Sequence, residues 1–358
     1  MQTPQSQPGA KQADSFQKSD HATQPGTRQD FSSQSKDPWS DFTPPASISI
    51  DHPWLSRYSQ SALLAPRNIA SNSLSTVSTV IYGNPVHPIA FAIGNGGAGY
   101  TGLLRTLCTK FIWMHGSDFR IAWVANHSRH ALVSLLADVV QVALTYEPEW
   151  DARAEEEGWG RVVVGPVFWD HFVLVGPVTD PAGLGGKGEL TVREALEVIG
   201  KGGEGVKFFS RGDGSATFTK EQVFFGEDEA GGCAKGIVQT FAVPPYAALV
   251  KTEEGGAYAL TDRGTFLTAK RDGAIPNMRV FVEGGEDLLN PCSAVVNTKV
   301  PDSPAQRLAV RFAEWLAEDT AQTLCRGYGR VLDLGQPLFT GKDRQEFGEE
   351  EHLVGREL

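Results

Sequence analysis

Cysteine is scarce in this sequence, and no two cysteines lie close together. The four cysteines are Cys108, Cys233, Cys292 and Cys325. Zinc sites and redox dithiols usually depend on closely spaced pairs of cysteine or histidine. We therefore expect neither a metal site nor a cofactor, and we expect the four thiols to be buried.

Long apolar runs and positive charge are also lacking. No stretch approaches the roughly 18 to 20 apolar residues of a membrane span, and residues 1–20 contain no apolar segment of a signal peptide. The net charge of −11 disfavours nucleic acid, whose phosphates require a basic surface. We expect a monomer without a membrane span or a nucleic-acid partner, and the compartment stays open.

The two ends of the chain differ in composition from the rest. Residues 1–45 are rich in Gln, Ser, Asp and Pro, which predicts a disordered N-terminal tail. Acidic residues are concentrated in 147–160 and in 341–358, so we expect both to be solvated surface and the second to be an acidic C-terminal tail. The length between the tails allows two domains or one two-lobed domain.

Between the tails, strand and helix patterns alternate. PIAFAI (88–93) and FRIAWVA (119–125) predict buried strands, and apolar residues at helical spacing from Leu103 to Ile112 predict a helix between them. Further strands are expected in 162–177, and one amphipathic helix is expected over 304–324. This alternation predicts an α/β fold with largely parallel sheets.

A glycine-rich loop, GNGGAG (94–99), separates the first strand from the helix. The backbone N–H groups of such a loop can bind an anion. A dinucleotide site would also need an acidic residue at the end of the next strand, but that strand ends in Ala125 and Asn126. The loop therefore indicates a smaller anion. The alternative is a tight turn whose glycines serve only backbone geometry and packing.

A second candidate segment is SRGDGSATFTKE (210–221), in which a guanidinium group and hydroxyl groups surround a predicted helix start. Arg211 is suited to oxyanions, and Ser215 and Thr217 could donate to a ligand or cap the helix. The alternative is a capped helix with a surface arginine.

A third segment, YALTDRGTFL (258–267), places Arg263 beside an acid. Arg263 could form a second cationic wall of an anion site. The alternative is a structural ion pair between Asp262 and Arg263.

These segments, in this order and followed by NPCSAVVN (290–297), resemble the tungstate-binding (TupA-like) substrate-binding proteins over about residues 80–340. The resemblance implies a two-lobed type II periplasmic-binding-protein-like α/β fold with a ligand cleft between the lobes. Lobe I would comprise residues 86–172 plus 294–340, and lobe II residues 173–293.

The resemblance also implies a non-catalytic solute-binding protein for a tetrahedral oxyanion such as tungstate or molybdate. Members of the family are usually exported and serve an ABC-type importer. Relatives carry hydroxyl side chains where this chain has Gly96 and Gly97, so we expect recognition there mainly through backbone N–H groups. The predicted ligand-binding residues are Asn95, Gly96, Gly97, Ala98, Arg211, Ser215, Thr217 and Arg263.

Two alternatives to an oxyanion-binding protein stay open. The first is an enzyme on the same scaffold that acts on a small anionic metabolite, with Asp170, His171 and Asp213 near the cleft. The second is a ligand-free interaction or sensor module, which would be favoured if the two arginines were paired with carboxylates. Asp213 could either accept a hydrogen bond from the ligand or orient Arg211.

Overall fold

The structure is a computed structural model that describes residues 75, 77–212, 215–225, 238–240, 243–330 and 335–356. The predicted N-terminal tail (1–45), Asp213 and Cys233 lie outside the described residues. Within the described ranges, no helix is both long and apolar enough to cross a lipid bilayer.

Lobe I begins with a mixed sheet in the strand order β1-β3-β2-β4. Strand β2 pairs parallel with β3 and β4, whereas β1 pairs antiparallel with β3. The strands are β1 (Val80–Tyr82), β2 (Ile89–Asn95), β3 (Arg120–Ala125) and β4 (Val142–Thr145). The helices that follow them are α1 (Gly97–Tyr100), α2 (Leu103–Met114), α3 (Ser128–Leu136) and α4 (Pro148–Glu156).

A long strand, β5 (Gly160–Pro177), continues from lobe I into lobe II. Up to His171 it pairs antiparallel with β10 (Leu289–Asn297), which also borders β4. From Phe172 onward it pairs antiparallel with β8 (Ala259–Asp262) and β9 (Met278–Val282). The two lobes therefore share one continuous strand.

Lobe II adds α5 (Val192–Gly200), whose first turn is closed by a capping box between Thr191 and Glu194. Backbone hydrogen bonds through Tyr258 join the strand at 208–210 to the segment that leads into β8. The remaining elements are β6 (Phe208–Ser210), α6 (Ala216–Phe225), β7 (Val238–Thr240), α7 (Pro245–Gly255) and α8 (Arg263–Arg271).

The sheets are less parallel than the alternating pattern predicted. Parallel pairing is found in β3-β2-β4 and in β6-β7, whereas β5 is antiparallel to each of its partners. The reason is that β5 leaves lobe I and β10 returns to it, so the two strands run side by side in opposite directions. The two-lobed α/β fold is confirmed.

The helix predicted over 304–324 is two helices, α9 (Pro304–Trp315) and α10 (Asp319–Gly327). The chain leaves α9 at Leu316, whose carbonyl oxygen accepts a hydrogen bond from the side-chain amide of Gln322 at 2.7 Å. This bond satisfies a carbonyl at the end of the helix, where no further turn supplies a donor.

The acidic segment 147–160, which we expected to be solvated surface, is buried on one face, whereas Glu149, Glu155 and Glu156 are exposed. Glu147 and Asp151 are buried, and Trp159 packs with Ala154 and Val295 in a hydrophobic cluster. The difference arises because α4 is amphipathic, and its buried face holds both apolar residues and these carboxylates.

In the C-terminal segment that we predicted as a solvated tail, residues 343–346 and 349–350 are exposed, whereas others pack against the protein. Strand β11 (Thr340–Gly341) pairs with β5, and both Glu351 and Leu353 are buried. Apolar residues within the acidic sequence provide surface to bury, and Arg263 provides donors for nearby oxygens.

The expectation of buried thiols is met at Cys108, Cys292 and Cys325, which are all free.

Candidate functional site

The glycine-rich loop lies where β2 ends and α1 begins, at the carboxyl edge of the parallel strands. The N–H of Ala98 donates to the Tyr146 hydroxyl at 3.1 Å, and the N–H of Gly99 donates to Oδ1 of Asn95 at 2.9 Å. Among the described residues we find no acceptor for the N–H groups of Gly96 and Gly97. These two groups can therefore bind an anion without breaking an internal bond.

The Asn95 side chain braces the loop instead of extending into solvent. It is fully buried, and its Nδ2 donates to the carbonyl oxygen of Leu144 at 3.0 Å while its Oδ1 accepts from Gly99. Both ends of the amide are thus engaged with backbone. The prediction that this amide donates to a ligand stays a prediction.

Two aromatic side chains explain the glycines of this loop. A Cβ atom at Gly99 would lie 2.1 Å from the Trp123 ring, and one at Gly97 would lie 3.3 Å from the Tyr146 hydroxyl. Nε1 of Trp123 also donates to the carbonyl oxygen of Asn95 at 2.7 Å. The phenol of Tyr146 therefore occupies space next to the loop in which related proteins, by the resemblance, carry hydroxyl side chains.

The second predicted segment is held by Glu221 of α6, a residue that the sequence did not single out. Its carboxylate accepts from the Ser210 hydroxyl at 2.5 Å and from the Arg211 N–H at 3.1 Å. Glu221 is almost fully buried and Arg211 is 7% exposed. The Ser215 hydroxyl accepts from the Phe218 N–H at 3.3 Å and so caps α6. Thr217 lies half-buried in the first turn of α6.

His127 lies beside the glycine loop and is affected by the charge of Arg211. Burial, together with the charges of Arg129 and Arg211, lowers the pKa of His127 to about 3. The α-carbon of His127 would be 3.8 Å from a Cβ atom on Gly96. Arg211 is therefore near enough to His127 to affect its pKa, and the backbone of His127 lies beside Gly96.

Arg263 is the cation of the third predicted segment (258–267). It is fully buried and bonded within the protein. Its guanidinium donates to Glu283 at 3.0 Å, to the carbonyl oxygen of Pro337 at 3.0 Å, and to the carbonyl oxygen of Glu351. The guanidinium carbon also lies 4.0 Å from the centre of the Phe347 ring. Burial lowers its pKa to about 10.

The ion pair between Asp262 and Arg263 that we considered is not the one formed. Asp262 caps α8 by accepting from the N–H and the hydroxyl of Thr265, each at 2.7 Å. Arg263 pairs with Glu283 instead. Gly264 brings the first turn of α8 close to Thr101 of lobe I, since a Cβ atom there would lie 2.9 Å from that side chain.

The cleft also contains a cross-lobe contact that the sequence analysis missed. Arg129 of α3 donates from Nε to Glu147 at 2.8 Å and from Nη2 to the Thr219 hydroxyl of α6 at 3.0 Å. The signal in the sequence was position, because His127 and Glu147 each lie two residues beyond the end of a parallel strand. Ligand-binding side chains in α/β sheets gather at that edge.

The candidate catalytic residues Asp170 and His171 lie where β5 changes partners. Burial and the nearby Asp262 raise the pKa of Asp170 well above its ordinary range, and burial lowers the pKa of His171 to about 3. Nε2 of His171 lies 3.1 Å from the Thr340 hydroxyl. Both side chains are buried against protein partners.

Among the described residues, no group of His, Cys, Asp and Glu has the arrangement of a metal site.

Two lobes that share β5, with candidate anion donors at the carboxyl edge of a parallel sheet, define a substrate-binding protein of the periplasmic-binding-protein class. Residues 90–320 match the family model described as "PBP superfamily domain". The chain belongs to this family and is similar to the TupA-like proteins.

Relatives and solved structures agree with this assignment. The chain is 32% identical over 176 residues to the tungstate-binding protein TupA of Peptoclostridium acidaminophilum, covering 49% of this chain and 59% of that protein. It is 33% identical over 243 residues to a putative ABC transporter anion-binding protein of Haloferax volcanii, covering 64% of this chain and 65% of that protein. The chain thus matches less than two thirds of the length of either relative.

Among solved structures, the tungstate-binding protein TupA from Desulfovibrio alaskensis G20 superimposes with a TM-score of 0.58 and 25% identity. The superposition covers 72% of this chain and all of that one. The similarity therefore extends over both lobes.

Proposed function

We propose that this chain is a non-catalytic solute-binding protein that holds a small tetrahedral oxyanion, of the tungstate or molybdate kind, between its lobes. The observation that carries the proposal is the pair of N–H groups at Gly96 and Gly97, which have no acceptor among the described residues. A deprotonated oxyanion offers acceptors only, and these groups are donors. The names of the relatives support the same ligand class.

Because Arg263 is bonded within the protein, we leave it out of the proposed set of ligand donors. Its guanidinium is bonded to Glu283 and to backbone carbonyl oxygens, which is the pairing expected of a structural arginine. We therefore assign the cationic role in lobe II to Arg211, with Ser215 and Thr217 beside it on α6. A ligand-free interaction module would have both arginines paired with carboxylates, and Arg263 is paired in this way with Glu283. A test that distinguishes this alternative from the proposal must therefore examine Arg211.

We further propose that the bound anion is passed to an ABC-type importer. The support is the name of the Haloferax volcanii relative, which connects the family to such transporters. The enzyme alternative gains no support from Asp170 and His171, because both side chains are enclosed and held by protein partners.

Thermal unfolding with increasing tungstate, molybdate, sulfate or phosphate tests the proposal. A ligand that binds the folded state at a hundred times its Kd stabilises it by about 2.7 kcal/mol, which raises the Tm measurably. The Arg211→Gln variant should lose the shift, whereas Arg193→Gln, which removes an exposed arginine of lobe II paired with Asp287, should keep it. If no anion at millimolar concentration raises the Tm of the unaltered protein, the proposal is wrong.

A further inference from the structure

Three side chains form a hydrogen-bonded cluster that crosses the cleft between the lobes. Arg129 of α3 donates from Nε to Glu147 at 2.8 Å and from Nη2 to the Thr219 hydroxyl at 3.0 Å. The Thr219 hydroxyl in turn donates to the carboxylate of Glu147. Arg129 and Glu147 belong to lobe I, whereas Thr219 belongs to α6 of lobe II. We call these three residues the cross-lobe cluster.

The cross-lobe cluster is largely shielded from solvent. The side chains of Arg129 and Glu147 are 15% and 4% exposed, and the guanidinium carbon of Arg129 lies 4.8 Å from the centre of the Trp150 ring. Hydrogen bonds to charged groups are strong in such surroundings, because water competes with them only weakly. Loss of the Thr219 hydroxyl would remove an acceptor from Arg129 and a donor from Glu147 in an enclosed place, which weakens the contact between the lobes.

The helix to which Thr219 belongs carries the proposed ligand donors of lobe II. Ser215 lies one turn before Thr219 on the same face of α6, and its carbonyl oxygen accepts from the Thr219 N–H at 2.9 Å. Two residues after Thr219, Glu221 accepts from the Arg211 N–H at 3.1 Å. A contact that fixes Thr219 against lobe I therefore also fixes the segment that holds Arg211 and Ser215.

The lobe I side of the cluster is next to the glycine loop. Glu147 directly follows Tyr146, whose hydroxyl accepts from the Ala98 N–H at 3.1 Å. The cluster thus joins the two walls that carry the proposed ligand donors. Because hydrogen bonds weaken steeply with distance, its two bonds to Thr219 form only when the lobes are together.

We propose that the cross-lobe cluster is a latch that holds the lobes together over the bound oxyanion, with Thr219 as a positioning residue that acts through α6. The inference rests on the proposed oxyanion-binding function and adds a residue that controls release of the anion. Two-lobed proteins close around their ligands by hinge motion. A contact made only in the closed arrangement raises the population of that arrangement, and with it the apparent affinity.

The Thr219→Val variant tests the latch, because valine has the shape of threonine without its hydroxyl. Its Kd for tungstate, measured by calorimetry, should be about tenfold higher, which corresponds to about 1.4 kcal/mol. Stopped-flow measurements should show about tenfold faster release of tungstate and an association rate within about threefold of the original, because the anion enters before the latch forms. An unchanged release rate, or a change confined to the association rate, would overturn the inference.

Two threonine variants separate the hydroxyl from packing. Thr219→Ser keeps the hydroxyl and should release tungstate at the rate of the unaltered protein. Thr323→Val makes the same exchange as Thr219→Val at an exposed position of α10, and it should change neither rate. Release from Thr219→Ser as fast as from Thr219→Val would assign the effect to the methyl group and refute the latch.

A double-mutant cycle tests whether the two lobes act through one contact. Arg129→Gln should also speed release of tungstate, and Thr219→Val should add less to this variant than it does to the unaltered protein, because both changes remove the same bond. Fully additive effects would refute the latch. If Arg129→Gln does not fold, the threonine variants decide the inference.

The outcomes separate this inference from the proposed function. If tungstate binds and Thr219→Val releases it at the original rate, the oxyanion-binding function stands and only the latch is refuted. If none of tungstate, molybdate, sulfate and phosphate binds, the proposed function fails, and small-angle X-ray scattering decides whether the cluster holds the lobes together. Thr219→Val should then have a larger radius of gyration than Thr323→Val, and equal radii would refute the latch as well.

Discussion

Arg263 is the residue whose surroundings differ most from those predicted. The sequence placed it in a motif that resembles an anion-binding segment, yet its guanidinium is bonded to residues 20, 74 and 88 positions away. No local pattern reveals partners at such separations. Arg211, by contrast, belongs to a segment whose brace, Glu221, is only ten residues away. The sequence therefore predicted the residue types of a candidate anion site, but it did not predict the partners that hold Arg263.

Replacing Gly99 with alanine should destabilise the fold, because the added Cβ atom would overlap the Trp123 ring. Overpacking of this kind typically costs about 1 to 3 kcal/mol. Urea unfolding measures the change. Gly186→Ala, where nothing lies within 4 Å of the added atom, is the control and should change stability much less. Equal stabilities of the two variants would contradict the packing described for the loop.

Asp151 should make stability fall with rising pH. Burial raises its pKa from 3.8 to about 7, so the folded state binds the proton more tightly than the unfolded state. This contribution is fully present below about pH 4 and is lost as the pH rises through 7, at about 1.4 kcal/mol for each pH unit in which only the folded state is protonated.

The Asp151→Asn variant tests this pH dependence. It should lose that slope between pH 4 and 7, as measured by urea unfolding at a series of pH values. Glu149→Gln, a change of the exposed carboxylate on the same helix, controls for the loss of one negative charge. A slope that survives in Asp151→Asn would assign the proton to another group.

At the scale of elements, periodicity predicted most strands and helices, including α2, β2 and β3. It did not predict the break between α9 and α10, because the bond from Gln322 to the Leu316 carbonyl depends on how α10 packs. Nor did it predict that residues 160–177 form one strand shared by both lobes. Strand partners depend on contacts between distant segments, and a single-sequence pattern contains no such information.

The loop before α6 should depend on Glu221 for its geometry. Glu221→Ala removes the acceptor of Ser210 and of the Arg211 N–H, so we expect roughly tenfold weaker oxyanion binding through loss of preorganisation. Calorimetry measures the affinity, and faster hydrogen exchange at the Arg211 N–H would report the loosened loop. Val223→Ala, at an exposed position of the same helix, should change neither quantity. An unchanged affinity in Glu221→Ala would refute this role.

At the scale of the whole molecule, β5, the start of β10 and the C-terminal segment all help to join the lobes. Phe347 contacts both His171 of β5 and Arg263 of α8. The N–H groups of Leu353 and Val354 donate to Glu283, which follows β9. The segment that composition predicted as a tail is therefore part of the frame that holds the cleft.

Leu353→Ala should lower the free energy of unfolding by about 2 to 5 kcal/mol, because Leu353 is 1% exposed and its removal leaves a cavity. The neighbouring Val354 is 47% exposed, so Val354→Ala is a matched control and should cost much less. Chemical denaturation compares the two. Similar losses in both variants would show that the C-terminal segment does not pack as described.

Leu338, Phe339 and Leu353 lie in one hydrophobic cluster with residues of β1 to β4, and this position has a consequence for biosynthesis. Lobe I is built from two separate parts of the chain, about 80–171 and 289–341, and the Tyr328 hydroxyl bonds a backbone oxygen 227 residues earlier. A ribosome releases this chain from its N-terminal end, so strands β1 to β4 emerge long before the residues that complete their core. Lobe I therefore reaches its native packing only after residues 338–353 have been synthesised, and until then its apolar strands are prone to aggregation.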